Sequence, residues 1–87
     1  MKMQVVSVLD VAAQAYGRPA FCAALGAATR SFVDEVNRAP TPGNDNVLFS
    51  HPEDFQLFHI GEFDDFNGQL VPIAPVLLLH GSAAKQL

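Results

Sequence analysis

The sequence predicts one small α+β domain, with an antiparallel sheet of about four strands and one main helix in the order ββαββ. Three observations predict it. A Val-rich run opens the chain, a single amphipathic stretch follows, and Asn67-Gly68 stands between two apolar segments near the C-terminal end. Asn-Gly tolerates the left-handed backbone of a tight turn, so that dipeptide between apolar runs signals a β-hairpin.

The first strand is Met3 to Leu9, MQVVSVL, in which three β-branched Val residues precede Asp10. Tyr16-Gly17 and Pro19 then break the pattern and are read as the point where the chain reverses, with a short second strand at Ala20 to Ala23. From Leu25 to Arg38 an apolar stripe of Leu25, Ala28 or Thr29, Phe32 and Val36 recurs at spacings of three and four. Arg30, Asp34 and Arg38 fall on another face, which predicts a helix with an Arg30–Asp34 pair one turn apart. Pro40, Pro42 and Gly43 end it and open a loop over residues 39–50.

Within SHPEDF, Ser50 is the expected cap of a single short turn, with Pro52 in its first turn and Glu53 at the capping-box place. Phe55 to Phe63 carries apolar groups on both parities and is expected inside the sheet. Asp64 to Gly68 forms the turn, and Gln69 to Ile73 returns at an edge, where Pro72 has no N–H for a ladder. The segment from Pro75 reads either as a last strand or as a docking segment, with residues 81–87 expected to fray.

A chain of 87 residues has room for a single domain spanning 1–87, and such a chain buries only roughly 60–65% of the surface its unfolded form exposes. With 49% hydrophobic and 16% charged residues it folds, but seven Phe side chains exceed what so small a core hides. A homo-oligomer or a partner-binding face is therefore expected. The net charge of −4 counts against a protein coated in nucleic-acid phosphate, unless some of Lys2, Arg18, Arg30, Arg38 and Lys85 gather on one face. A lone Cys22 forms no internal disulfide, which fits a reducing cytosol. No targeting segment is read at Met1 to Asp10. The apolar run Leu70 to Leu79, interrupted by two prolines, is too short to span a bilayer as a helix, so no membrane association is expected.

Residues with chemical potential read as structural. His51, Glu53, Asp54 and His59 offer zinc- or iron-type donors, but at a spacing that matches no helical or knuckle site. Asp64, Asp65 and Asn67 resemble the opening of a calcium loop that lacks its later ligands. Cys22 sits among Ala and Phe, and Ser7, Ser31, Ser50 and Ser82 lie in no nucleophile elbow. The adjacent acids Asp34-Glu35, Glu53-Asp54 and Asp64-Asp65 are assigned to a helix face, a turn and a hairpin tip. No catalytic residue, metal or cofactor is assigned. Among the rings, Tyr16 beside Arg18 and Phe66 at the hairpin tip are expected to be exposed, and exposed rings near Arg are how single-strand binders stack bases.

Read together, VVSVLDVAAQAYGRPAF, GAATRSFVDEVN and HPEDFQLFHIGEFDDFNG resemble the small nonstructural protein of gokushoviruses, circular single-stranded DNA phages of the Microviridae. The resemblance runs from about Val5 to Gly68, in blocks whose order is more specific than any single motif. It implies a non-enzymatic phage protein of the host bacterial cytoplasm, absent from the virion, that assists viral single-stranded DNA replication or packaging. Its partners would be that DNA or the phage proteins acting on it. If nucleic acid is touched directly, Tyr16, Arg18, Arg30 and Arg38 are the expected contacts; the alternative is an oligomeric interaction module that binds phage or host proteins and no DNA.

Overall fold

Val5, Val6 and Val8 put β-branched side chains on both faces of a nine-residue strand, β1 (Lys2–Asp10), which lies inside the sheet. The computed structural model describes residues 1–85. Along one edge β1 pairs antiparallel with β4 (Phe55–Asp64), placing Val8 opposite Leu57 and Asp10 opposite Phe55. Its other edge is shared by two short strands, β2 (Ala15–Tyr16) and β3 (Ala20–Cys22). Beyond β4, the twelve-residue β5 (Gln69–His80) forms the far edge, giving the order β2-β1-β4-β5 with β3 beside β2 on β1. The expected antiparallel α+β architecture is the one observed, with Phe55–Asp64 central as read.

Helix α1 (Leu25–Val36) uses the stripe read from sequence: Phe32 and Val36 are buried, and Leu25 and Ala28 pack against the same core. That core joins them to Val6, Phe55, Leu57 and Ala84. Antiparallel partners point to the same side of a sheet, so Val6, the Val8–Leu57–Leu79 row and Phe55 form the helix-covered face. The helix ends at Val36 rather than Arg38 because the Asn37 side chain donates to Val33 O (2.8 Å) and to Ala84 O (3.0 Å), leaving the helical path.

Four further expectations are corrected. The chain reverses at residues 11–14, where the Asp10 carboxylate accepts from Ala13 N and Gln14 takes φ 57°. Tyr16 to Pro19 instead interrupts the returning strand, with Gly17 N still donating to Val8 O at 2.8 Å. The loop 39–50 closes on a short helix, α2 (Val47–Ser50), capped by Asn46, and His51 rather than Ser50 takes the cap position of the turn at Pro52–Asp54. Past Pro75 the chain continues as a strand, the first of the two alternatives, but within β5 rather than as a separate element. Its register shifts between His59 and Gly61, so Ile73, Ala74 and Pro75 bulge opposite Ile60. Finally, residues expected to fray form α3 (Gly81–Ala84), with Gly81 and Ala84 buried, while residues 86–87 lie outside the described part. Lys85 Nζ sits 3.1 Å from the Phe49 ring centroid and donates to Phe49 O, tying this end to α2. Among the described residues no helix is long and apolar enough to cross a membrane.

The hairpin forms at Asn67-Gly68 as read, through a four-residue loop in which Gly68 alone is left-handed (φ 75°). Gly68 N donates to Asp64 O (2.8 Å), Phe66 N to Asp64 Oδ1 (2.9 Å) and Gln69 N to Asn67 Oδ1 (3.0 Å). The side-chain oxygens of Asp64 and Asn67 therefore serve the turn's own amides, and that of Asp65 accepts from the Met1 amino group.

Candidate nucleic-acid interface

A five-stranded sheet covered on one face by a helix leaves its second face to solvent unless something else packs there. On that face lie three cross-strand rows: Met3–Phe63–Leu70, Val5–Gly61–Pro72 with Phe21 beside Val5, and Ser7–Phe58–Leu77. Leu9 adds its partner Tyr16 at the β2 edge. Tyr16 and Phe21 are each 47% exposed, and each leans on a ring of β4. Tyr16 meets Phe58 edge-on at 5.6 Å, and Phe21 lies tilted on Phe63 at 5.4 Å.

The open face divides into two ends. At the β2 end, Tyr16 stands two residues from exposed Arg18, and Ser7 is buried beneath the crossing segment with its hydroxyl donating to Gly17 O at 2.8 Å. Gly17 and its neighbours are held by this bond and by the Gly17 N bond to β1, so the Tyr16–Arg18 pair sits on a braced backbone. At the hairpin end, Val5, Pro19, Phe21, Gly61, Leu70 and Pro72 line an apolar cavity of about 400 Å³, which Glu62 also touches. Beyond it the tip carries Asp64 and Asp65, Asp65 lying 2.7 Å from the Met1 amino nitrogen. Charge therefore divides the face, with Arg18 next to the β2 end and carboxylates at the hairpin tip.

The four residues read as nucleic-acid contacts do not converge. Tyr16 lies on the open face, with Arg18 two residues on in an exposed segment, whereas Arg30 is exposed on α1, which packs on the opposite face. Arg38 is engaged by Glu35: Nε donates to both carboxylate oxygens (3.2 and 3.1 Å) and a terminal nitrogen to Oε1 (2.7 Å). The expected Arg30–Asp34 pair does not form among the described residues; Glu35–Arg38 is the ion pair of this helix. Its hydrogen bond to Arg38 holds the Glu35 carboxyl below the ordinary carboxylate range. A depressed pKa stabilises the fold above the unfolded carboxyl's value and ceases to do so as pH falls through the folded one. Urea midpoints of wild type and Glu35→Gln are expected to differ slightly at neutral pH and to coincide in strong acid, the pair being half exposed.

His51, Glu53 and Asp54 bring ligand-type atoms within 4.8 Å of one another, but they are neighbours on one surface turn. His59 is not among them, its Nε2 lying 2.9 Å from Gly61 O. Cys22 is half-buried, with Sγ donating to Gln4 O at 3.5 Å. Sequence reasoning missed Phe21 as an exposed ring. The signal was the alternation Ala20-Phe21-Cys22, which turns the two small residues toward the helix and the Phe away from it.

A family model described as Phage ORF5 protein matches residues 3–84. No curated protein and no solved structure matches the chain.

Proposed function

The chain belongs to the Phage ORF5 protein family, and from that premise we propose that it is a non-enzymatic accessory protein that contacts viral single-stranded DNA during replication or packaging. The observation that carries the reading is the half-exposed Tyr16 ring, braced edge-on by Phe58 and two residues from Arg18, on an uncovered sheet face. A base stacks on such a ring while the guanidinium meets the adjoining phosphate. The gokushovirus-like blocks support a single-stranded phage genome as the nucleic acid and the host cytoplasm as the setting. The acidic hairpin confines contact to the β2 end and keeps affinity modest, because the chain as a whole repels phosphate.

Anisotropy of labelled single-stranded DNA tests this. Wild type is expected to bind at about 50 mM salt and to weaken toward about 200 mM with the shallow slope of one or two phosphate contacts. Tyr16→Ala is expected to lower affinity roughly tenfold at unchanged slope, and Arg18→Ala to reduce the slope by about one. A folded sample that binds no DNA at the lower salt would falsify direct contact.

A second reading, an interaction module that contacts phage or host proteins without DNA, is favoured by the hairpin end of the same face, where an apolar cavity lies beside carboxylates. Wild-type anisotropy without any DNA response, together with a retained fold, selects it.

A further inference from the structure

We propose that two copies of this chain pair reciprocally, each seating the Phe66 ring of its hairpin tip in the other's cavity beside Val5, Phe21, Gly61 and Pro72. Phe66 is 91% exposed, a costly placement for a ring with no partner. It is also held in place. Its own amide donates to Asp64 Oδ1, the next turn bond joins Gly68 N to Asp64 O, and Asp65 N donates to Met1 O at 3.2 Å. A ring presented on a braced turn loses little freedom when it docks, which is the property of an anchoring side chain.

The receptor is on the same hairpin. The cavity of about 400 Å³ is walled by apolar groups, and an apolar cavity of roughly 150 Å³ already accommodates a benzene ring. From Gly61 to the tip the hairpin advances roughly 15 Å at a strand's rise per residue. Two hairpins stacked antiparallel by their open faces therefore place each tip over the other's cavity, with the two-fold axis near the Phe63–Leu70 row. Leu70 is 63% exposed there and meets its own copy across the axis. Such an exchange is closed, since both copies use the same patch.

Charge favours this occupant. Arg18, which forms no ion pair among the described residues, adjoins Pro19 on the cavity wall, and the entering tip carries Asp64 and Asp65. Glu62 also touches the cavity and opposes an anion, so the apolar fit decides as much as the charge. The exposed parts of Phe21, Phe66 and Leu70 amount to on the order of 400 Å² per copy. That is half of the roughly 800 Å² per partner in a stable interface, the polar rim and hairpin backbone supplying the rest.

The pairing needs no DNA, although both draw on Arg18, so its test is run without DNA and leaves Tyr16 and Arg18 intact. Light scattering across a concentration series is expected to give twice the 9.4 kDa chain mass for wild type. Phe66→Ala is expected to give the single-chain mass over the same range, its dissociation constant raised about a hundredfold because two tips are lost per dimer. Leu70→Glu, which places two carboxylates at the axis, is expected to do the same. Both side chains are mostly solvent-exposed, and unchanged circular dichroism confirms that the variants fold. A wild type that stays monomeric, a dimer that survives Phe66→Ala, or masses that grow without limit in place of a dimer each overturn the proposal. DNA binding that persists in monomeric wild type removes this inference alone.

Discussion

Gly81→Ala is expected to lower the stability of the domain by about 3 kcal/mol or more, a large part of the roughly 5–15 kcal/mol that holds a small fold together. Gly81 opens α3 directly after β5, and its Cα faces the backbone of the turn at Pro52–Asp54. A Cβ added there overlaps Pro52 O and stands 2.9 Å from Phe55 O, closer than such atoms approach. Neither oxygen yields easily. Pro52 belongs to a short turn closed by its own hydrogen bonds, and Phe55 is 6% exposed with its ring in the core. Relief therefore requires α3 to lift away, which exposes Ala84, now fully buried, and breaks the Asn37 bond to Ala84 O. Circular dichroism melting is expected to show a midpoint lower by roughly 15 °C, or no cooperative transition at all. Gly26→Ala is the matched control. Its Cβ meets nothing within 4 Å in the first turn of α1, so it is expected to be neutral or slightly stabilising. Equal melting of the two variants would refute the packing assigned to α3.

Asn46→Ala is expected to cost about 2–3 kcal/mol, because one side chain joins two helices. Asn46 is 5% exposed, and its Nδ2 donates to Glu35 O (2.8 Å) and Arg38 O (2.9 Å), two carbonyls at the C-terminal end of α1. Its Oδ1 accepts from Leu48 N (3.2 Å) and so caps α2. Alanine leaves both carbonyls unpaired in a place water reaches poorly. Asn46→Asp keeps the acceptor but sets a carboxylate against the two carbonyl oxygens, so at neutral pH it is expected to be at least as damaging. Urea denaturation with unchanged slope measures both. A midpoint for Asn46→Ala within error of wild type would show that the loop 39–50 contributes no such link.

The parts of the fold that were legible in the sequence are those whose signal is local. The 25–36 stripe repeats at helical spacing, and Gly68 supplies the one left-handed residue that the hairpin loop requires. What escaped depends on distant partners. Pro72 and Pro75 hide the length of β5, because the bulge that accommodates Pro75 exists only against Ile60 of β4. α3 has four residues and no periodicity to show; it is ordered by a glycine that fits between carbonyls some thirty residues earlier in the chain. Of the candidate interface, Tyr16 and Arg18 were visible as neighbours in sequence. The separation of Arg30 and Arg38 from them follows from which sheet face α1 covers, and Arg38's engagement follows from where the helix ends.

The prolines of β5 have one more consequence. A long, apolar strand at the margin of a sheet ordinarily invites a neighbouring chain to extend the ladder, the first step toward cross-β fibrils. Here Pro72 and Pro75 each withhold a donor, and the Ile73–Pro75 bulge bends the margin out of register, so no uninterrupted template is offered. Copies of this protein at high concentration are thereby denied a continuous edge on which to extend the sheet through its strand richest in apolar residues.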